Sequence, residues 1–386
     1  MISLEHIGIA VDDAAAVRAC YRDLLGVLPY KTETVDVQGV RTHFLAAGSA
    51  KLELLEATSD DSPIASFLER RGPGIHHLAF NVPNAQAALD RLRDAGYTPL
   101  SDTPQPGADG KRIFFLHPKD THGVLVECCE EAAYTPDQHT IPFRDTTLAA
   151  YTAGARHLPP LLLLHGAAGS VETELAGLIH RLEAHFRVVA VDFSGHGQSP
   201  FAKAPFGPDL FVANARAALD AFDIDTAHVF GFSMGGYMAL EYAFRHPKRV
   251  RRLAMHGTTV SWDAALVRGM QRRLRPDAVP SPVAASLDTA HTDWRRLFQT
   301  MHDWVPALPE ASDTMQAHAQ ALRVPALVSG NDRDDLFPLR DVLALHDAVP
   351  DSRLAVVPSA RHGLQNGPTK LLADVLVDFF QPTPAP

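Results

Sequence analysis

The sequence predicts two domains of different class: an α+β domain built from two copies of a βαβββ unit, then an α/β domain with a parallel sheet and a helical cap. Three observations predict this. Residues 1–130 repeat themselves, with "EHIGIAV" (5–11) matched by "HHLAFNV" (76–82). From about residue 144, apolar strand runs alternate with helical patterns. Between them, "EEAAYTPDQHTIPF" (130–143) mixes small, polar and proline residues and reads as a seam.

In each copy of the repeat, the opening strand is followed by a helical stretch. These are "DDAAAVRACYRDLLGVLP" in the first and "PNAQAALDRLRDAGYTP" in the second. Each copy closes on a strand pair, "RTHFLAAGSAKLELLE" (41–56) and "KRIFFLHPKDTHGVLVECCE" (111–130). The first domain is therefore assigned to 1–130, a linker to 131–143 and the second domain to 144–381. In the second domain the strand runs are "LLLLHG", "FRVVAVDF", "HVFGFS", "RRLAMHG", "PALVSG" and "RLAVVPS". Strands spaced by helices imply parallel βαβ units in an open sheet. Amphipathic helices with Trp and Met interrupt that rhythm between "RRLAMHG" and "PALVSG", and are read as a cap over about 258–320. The tail 382–386, within "QPTPAP", is read as disordered.

Bulk properties narrow the function. The formal charge of −10 argues against a generic nucleic-acid or anionic-membrane surface. Three cysteines, Cys20, Cys128 and Cys129, build neither a disulfide framework nor a thiolate metal site. The N-terminus enters a strand pattern without a basic or long apolar leader, so no signal peptide is visible. The apolar run "LPPLLLLHG" is too short to cross a bilayer. A cytoplasmic enzyme acting on a small molecule is the expectation.

The stretch "VFGFSMGGY" (229–237) places Ser233 between an apolar strand and a helix, fenced by glycines. A G-x-S-x-G alone is weak, but the strand–elbow–helix context gives it meaning. Such a turn lifts the hydroxyl above the sheet edge, and the helix N-terminus favours developing negative charge. A serine nucleophile needs a base oriented by an acid. "SGNDRDDLFP" supplies the acid, Asp334 in preference to Asp332, and "PSARHGLQ" supplies His362. The backbone N–H groups of Ala167, in "LLLLHGAAG", and Met234 can form an oxyanion hole. His165-Gly166 ends the first long strand, and His196, His256 and His291 are read as structural or cap residues. With these motifs in order, residues 144–381 resemble an α/β-hydrolase. Serine at the elbow leaves ester, lactone or thioester hydrolysis, with C–C bond hydrolysis a lesser option. The bland alternative is a turn serine in a non-catalytic relative.

In the first domain, the repeat puts His6 and His77 at equivalent points of the opening strands, and Glu53 and Glu127 in the closing strands. Two pseudo-symmetric modules can bring the four to one cup. Two imidazoles and two carboxylates suit a divalent ion (cobalt, manganese, zinc or nickel) with positions left for substrate. The alternative is a hydrogen-bonded polar layer that only fills the barrel. Cys128 follows Glu127 on the strand and is expected on the other face. "LEHIGIAV", "KLELLE", "DSPIASFLERRGPGIHHLAFNV" and "FLHPKDTHGVLVE" resemble the vicinal-oxygen-chelate superfamily, and within it the methylmalonyl-CoA epimerases. That resemblance implies removal of a proton α to an acyl-CoA thioester carbonyl, with Glu127 among the groups moving it, and a homodimer.

One departure stands out. The family has Glu directly before a Gln/His-Gly-Val triplet; here Val37 precedes Gln38-Gly39-Val40. Valine cannot move a proton. On a strand, Asp36 would face the opposite side, and Glu33 would lie roughly 13 Å away at about 3.3 Å per residue. His122 stands where the family has glycine, as a further ligand, a base or an exposed turn residue. Three outcomes stay open: one group serving both faces, a one-base reaction, or binding without turnover. The functional readings are a bifunctional enzyme, a serine hydrolase with a non-catalytic binding or dimerising module, and, disfavoured by the complete triad, a scaffold with two retired active sites.

Overall fold

The computed structural model describes residues 3–26, 28–47, 50–82, 84–131, 136–364 and 367–381. The chain divides into two compact units, Met1–Ala133 and Tyr134–Pro386.

The first unit is one eight-stranded sheet built twice. The first module runs β1 (Ser3–Val11), α1 (Ala14–Leu25), β2 (Lys31–Val35), β3 (Val40–Ala47) and β4 (Ala50–Ala57). Helix α2 (Pro63–Arg71) leads to the second: β5 (Gly74–Asn81), α3 (Ala85–Asp94), β6 (Gln105–Pro106), β7 (Lys111–Leu116) and β8 (Val126–Glu131). The order is β2-β3-β4-β1-β5-β8-β7-β6. β1 pairs in parallel with β4, β5 pairs in parallel with β8, and β1 and β5 meet antiparallel, so the two modules are related about that seam. Helix starts follow local chemistry. Asp13 accepts from Ala15 N and Ala16 N, and Ser62 accepts from Ile64 N with Pro63 in the first turn.

The second unit opens with the antiparallel pair β9 (Asp137–Phe143) and β10 (Thr146–Ala153). There follow β11 (Pro160–Leu164), α4 (Ala176–Leu182), β12 (Arg187–Val191), α5 (Pro208–Ala221), β13 (Ala227–Phe232), α6 (Met234–Arg245) and β14 (Val250–His256). Four helices, α7 (Ala264–Arg273), α8 (Ser281–Ala290), α9 (Trp294–Trp304) and α10 (Leu308–Gln320), separate β14 from β15 (Ala326–Asn331). The domain ends with α11 (Leu339–Ala348), β16 (Ser352–Val357) and α12 (Thr369–Phe380). The sheet order is β16-β15-β14-β13-β11-β12-β10-β9, parallel from β16 to β12. Apolar clusters lie on both faces, and every residue of β13 is buried, as a central parallel strand requires. No helix among the described residues is long and apolar enough to cross a membrane.

Two expectations need correction. Residues 131–143 are not a linker: Glu131 completes β8, and Asp137–Phe143 is the edge strand of the second sheet. Ile141 and Phe143 are buried on either side of exposed Pro142, a strand alternation that the proline disguises; an edge strand tolerates it because one side needs no ladder bonds. Strand parity also fails beyond Val35, because Asp36–Gln38 form a 3-10 turn closed by Gly39 N–H donating to Asp36 O. The tail 382–386 lies outside the described residues.

Candidate active sites

Ser233 sits between β13 and α6 with φ 54° and ψ −119°, a conformation that costs a non-glycine residue energy. The fencing glycines make it possible. A Cβ on Gly231 would fall 2.1 Å from Gly235 O, and one on Gly235 would fall 2.2 Å from Leu164 O. The Ser233 N–H donates to His256 O at 2.9 Å, while His256 Nδ1 bonds Ser329 Oγ at 3.0 Å, so His256 braces the elbow from the next strand.

His362, in the loop after β16, meets Ser233 Oγ with Nε2 at 3.0 Å. Its Nδ1 lies 2.7 Å from Asp334 Oδ2. Asp334 Oδ1 accepts from Leu336 N and Phe337 N, both at 2.9 Å. Burial pushes the Asp334 carboxyl upward, but the His362 hydrogen bond, its charge and those two N–H groups outweigh it and hold it below the usual range. Asp332 instead accepts from Ala360 N at 3.2 Å and braces the loop.

Ala167 and Met234 line the same cavity as Ser233. Met234 opens α6, where first-turn N–H groups have no intrahelical partner. The turn around Ala167 is held by side chains that sequence reading assigned no such part. His165 Nε2 accepts from Phe193 N at 3.1 Å, so its Nδ1–H donates to Gly166 O at 2.8 Å. Burial pushes the His165 imidazole down to about 3, keeping it neutral. Glu174 accepts from Gly166 N at 2.7 Å. His291, between α8 and α9, accepts from Gly197 N at 2.8 Å with Nδ1, and its Nε2–H donates to Ala168 O at 3.1 Å. His196 is packed among Phe193, Phe206 and Phe211.

The cavity beside Ser233 is mostly apolar. Its walls include Tyr237 of α6, Trp262, Met301, Trp304 and Leu308 of the inserted helical region, and Phe337 of the acid loop.

In the first unit, His6 of β1, Glu53 of β4, His77 of β5 and Glu127 of β8 converge in a cup, each about 4% exposed. The two Nε2 atoms lie 2.8 Å apart. Glu53 Oε2 is 2.9 Å from His6 Nε2 and 3.6 Å from His77 Nε2. Glu127 Oε2 is 3.0 Å from His77 Nε2 and 3.6 Å from His6 Nε2. Burial opposes charge on all four, yet their mutual hydrogen bonds outweigh it. They raise His6 to about 12 and His77 above its usual value, and they lower Glu53 to about 2 and Glu127 below the usual range. The donor set fits a divalent cation: two imidazoles and two carboxylates are ligands a borderline ion takes, and each Nε2 lies within 3.6 Å of both carboxylates.

A second layer holds those rings. His6 Nδ1 bonds Glu5, and Glu5 Oε1 is 2.8 Å from Lys51 Nζ and 3.3 Å from Lys111 Nζ. His77 Nδ1 meets His76 Nδ1 at 2.9 Å. Both partners sit at irregularities of the β1–β5 seam. The register skips Glu5 between Leu4 and His6, and on the other strand it skips His76 between Ile75 and His77. Gly8 faces His77, and a Cβ there would fall 2.2 Å from the ring.

The cup opens on a cavity whose lining includes Gln38, Leu55, Ile64, His76 and Phe115. Val37 is in the 3-10 turn. Glu33 is committed elsewhere, 2.7 Å from Lys31 Nζ and accepting from Asp109 N at 3.1 Å. His122 is exposed in a turn with φ 56°. Cys128 packs with Phe114 and Leu116, and burial pushes its thiol up to about 11, so it offers no thiolate.

Comparison with known proteins agrees with this division. The family pattern described as glyoxalase/bleomycin resistance protein/dioxygenase superfamily matches residues 5–115, and the pattern described as alpha/beta hydrolase fold matches 159–302. An ethylmalonyl-CoA/methylmalonyl-CoA epimerase of Cereibacter sphaeroides is 44% identical over 126 residues, covering 32% of this chain and 94% of the relative. A 2-hydroxymuconate semialdehyde hydrolase of a Pseudomonas species is 28% identical over 255 residues, covering 57% of this chain and 86% of the relative. The solved 2-hydroxy-6-oxo-6-phenylhexa-2,4-dienoate hydrolase of a Rhodococcus species shares the fold with TM-score 0.56 at 22% identity, over 64% of this chain and 99% of that one.

Proposed function

The chain joins a member of the glyoxalase/bleomycin resistance protein/dioxygenase superfamily to an α/β-hydrolase domain, and from that premise we propose a bifunctional enzyme. Its C-terminal domain hydrolyses an ester, lactone or thioester, and its N-terminal domain moves a proton on a chelating acyl thioester.

The observation that carries the hydrolase is the relay Ser233 Oγ–His362 Nε2 at 3.0 Å and His362 Nδ1–Asp334 Oδ2 at 2.7 Å. In the reaction, Ser233 Oγ attacks the carbonyl carbon as its proton passes to His362 Nε2. Asp334 keeps the other ring nitrogen protonated and aimed. The N–H groups of Ala167 and Met234 take the charge that grows on the carbonyl oxygen. His362 then gives its proton to the leaving group, and water, deprotonated by the same ring, releases the acid and restores the serine. Ser233→Ala is expected to lower turnover of p-nitrophenyl esters by about 10⁴-fold or more. Persistence of activity rejects the nucleophile.

For the N-terminal domain, His6, Glu53, His77 and Glu127 would hold a divalent cation, which when bound polarises a substrate carbonyl and stabilises enolate charge. Glu127 is the carboxylate read as taking the α-proton. The observation that supports a ligand-bearing cup is two imidazole nitrogens 2.8 Å apart, each within 3.6 Å of a carboxylate oxygen of both Glu53 and Glu127. Bound metal together with deuterium uptake from heavy water at the α-carbon of methylmalonyl-CoA is the expected result. A second reading, a binding module without turnover, is favoured by Val37 at the position where the resembling family has Glu. Bound metal without exchange selects that reading, and Val37→Glu is then expected to switch exchange on.

A further inference from the structure

The walls around Ser233 carry information about the acyl group. Four residues bring polar side chains besides the two tryptophans: Ser233, Tyr237, Thr258 and Thr259, all neutral groups. The Thr259 hydroxyl is already committed, donating to Ser261 O at 3.2 Å and accepting from Ser261 N at 3.1 Å. Among the described residues that line this cavity, none carries a formal charge.

The cationic residues of the inserted helices face outward. Arg272 and Arg273 are exposed, and Arg273 pairs with Asp335 at 3.5 Å. Arg295 pairs with Asp288 at 2.9 Å and lies over the Trp294 ring, while exposed Arg296 lies over Phe201. A carboxylate carried deep into the cavity would find no counter-charge there, and an uncompensated ion is not accommodated among apolar walls. Met234, Met270 and Met301 supply flexible, polarisable wall that adapts to apolar shape, and Trp262 and Trp304 supply flat surface.

We infer that the C-terminal site, on the reading that Ser233 is its nucleophile, takes esters or thioesters of an uncharged, apolar acyl group and discriminates against acyl groups bearing a second carboxylate. This separates its substrate from any dicarboxylic acyl thioester taken by the N-terminal cup.

The test compares p-nitrophenyl hexanoate with the mono-p-nitrophenyl ester of adipic acid, which has the same six-carbon chain ending in a carboxylate, in the full-length protein at pH 7.5. The expected kcat/KM ratio is at least about 50 in favour of hexanoate, since a charged group without a partner is excluded far more strongly than a methylene is gained. A smaller ratio overturns the inference. Ser233→Ala, run on both esters, separates this from the underlying reading: undiminished turnover in that variant rejects the nucleophile whatever the ratio. Met270→Lys adds a cation to the wall. In a folded variant the ratio is expected to fall about tenfold, and an unchanged ratio counts against the inference. If that variant does not fold, the wild-type ratio decides.

Discussion

The cavity beside Ser233 and the one beside the His–Glu cup place charge in opposite ways. The N-terminal cup concentrates it: His6, Glu53, His77 and Glu127 are all ionisable and nearly inaccessible, and Glu5, Lys51 and Lys111 balance them from behind. The C-terminal cavity keeps its ionisable pair, His362 and Asp334, beside a wall of aromatic and thioether groups. Buried charge is tolerated only in company, and breaking one buried pair typically costs about 3–5 kcal/mol. The cup is therefore a network in which each member depends on the others. The hydrolase relay is a line of three groups whose geometry matters more than its charge balance.

That contrast can be broken or sharpened by substitution, beginning with the largest effect. Asp334→Asn is expected to lower ester turnover by about 10³- to 10⁴-fold, because the wrong histidine tautomer then faces the serine. Asp332→Asn, measured alongside by steady-state kinetics on p-nitrophenyl hexanoate, is expected to stay within about threefold, as a loop brace worth one hydrogen bond. The reverse result would exchange the two acids and break the line. Next comes Gly8→Ala, which pushes His77 out of the cup. Affinity for a titrated divalent cation is expected to fall about 10- to 100-fold while ester turnover on the same sample is unchanged. A parallel loss of both activities would contradict the independence of the two centres. Smallest is His291→Ala, which frees Ala168 O beside Ala167. It is expected to lower kcat about tenfold with little change in KM, the worth of one positioning hydrogen bond, and His291→Gln is expected to recover part of it. A change confined to KM would make His291 a packing residue only.

How far the sequence could be read follows from the same contrast. The elbow was legible because sterics, not chemistry, dictate its glycines: Gly231 and Gly235 lie against backbone that admits no Cβ. The positions of His6 and His77 were legible because the module is repeated. Their supporting partners were not. Period-two reasoning puts Glu5 and His76 on the face away from their neighbours, and the skipped register at both points of the β1–β5 seam defeats it. Strand β9 was hidden by Pro142. The 3-10 turn at Asp36–Gln38 invalidated the parity argument about Asp36 and Glu33. His291 gave no local signal, since its partners Ala168 and Gly197 are 123 and 94 residues away. Long-range pairing of that kind has no periodicity to detect.

The seam between β1 and β5 carries one more consequence. Each module supplies one imidazole and one carboxylate, His6 with Glu53 and His77 with Glu127, so neither half owns all four donors. A severed half would offer two donors and would regain four only by finding a twin across the same antiparallel edge. Tethering the halves in one polypeptide makes that encounter certain at any dilution, and it frees the halves to diverge, as Glu5 behind one ring and His76 behind the other already have.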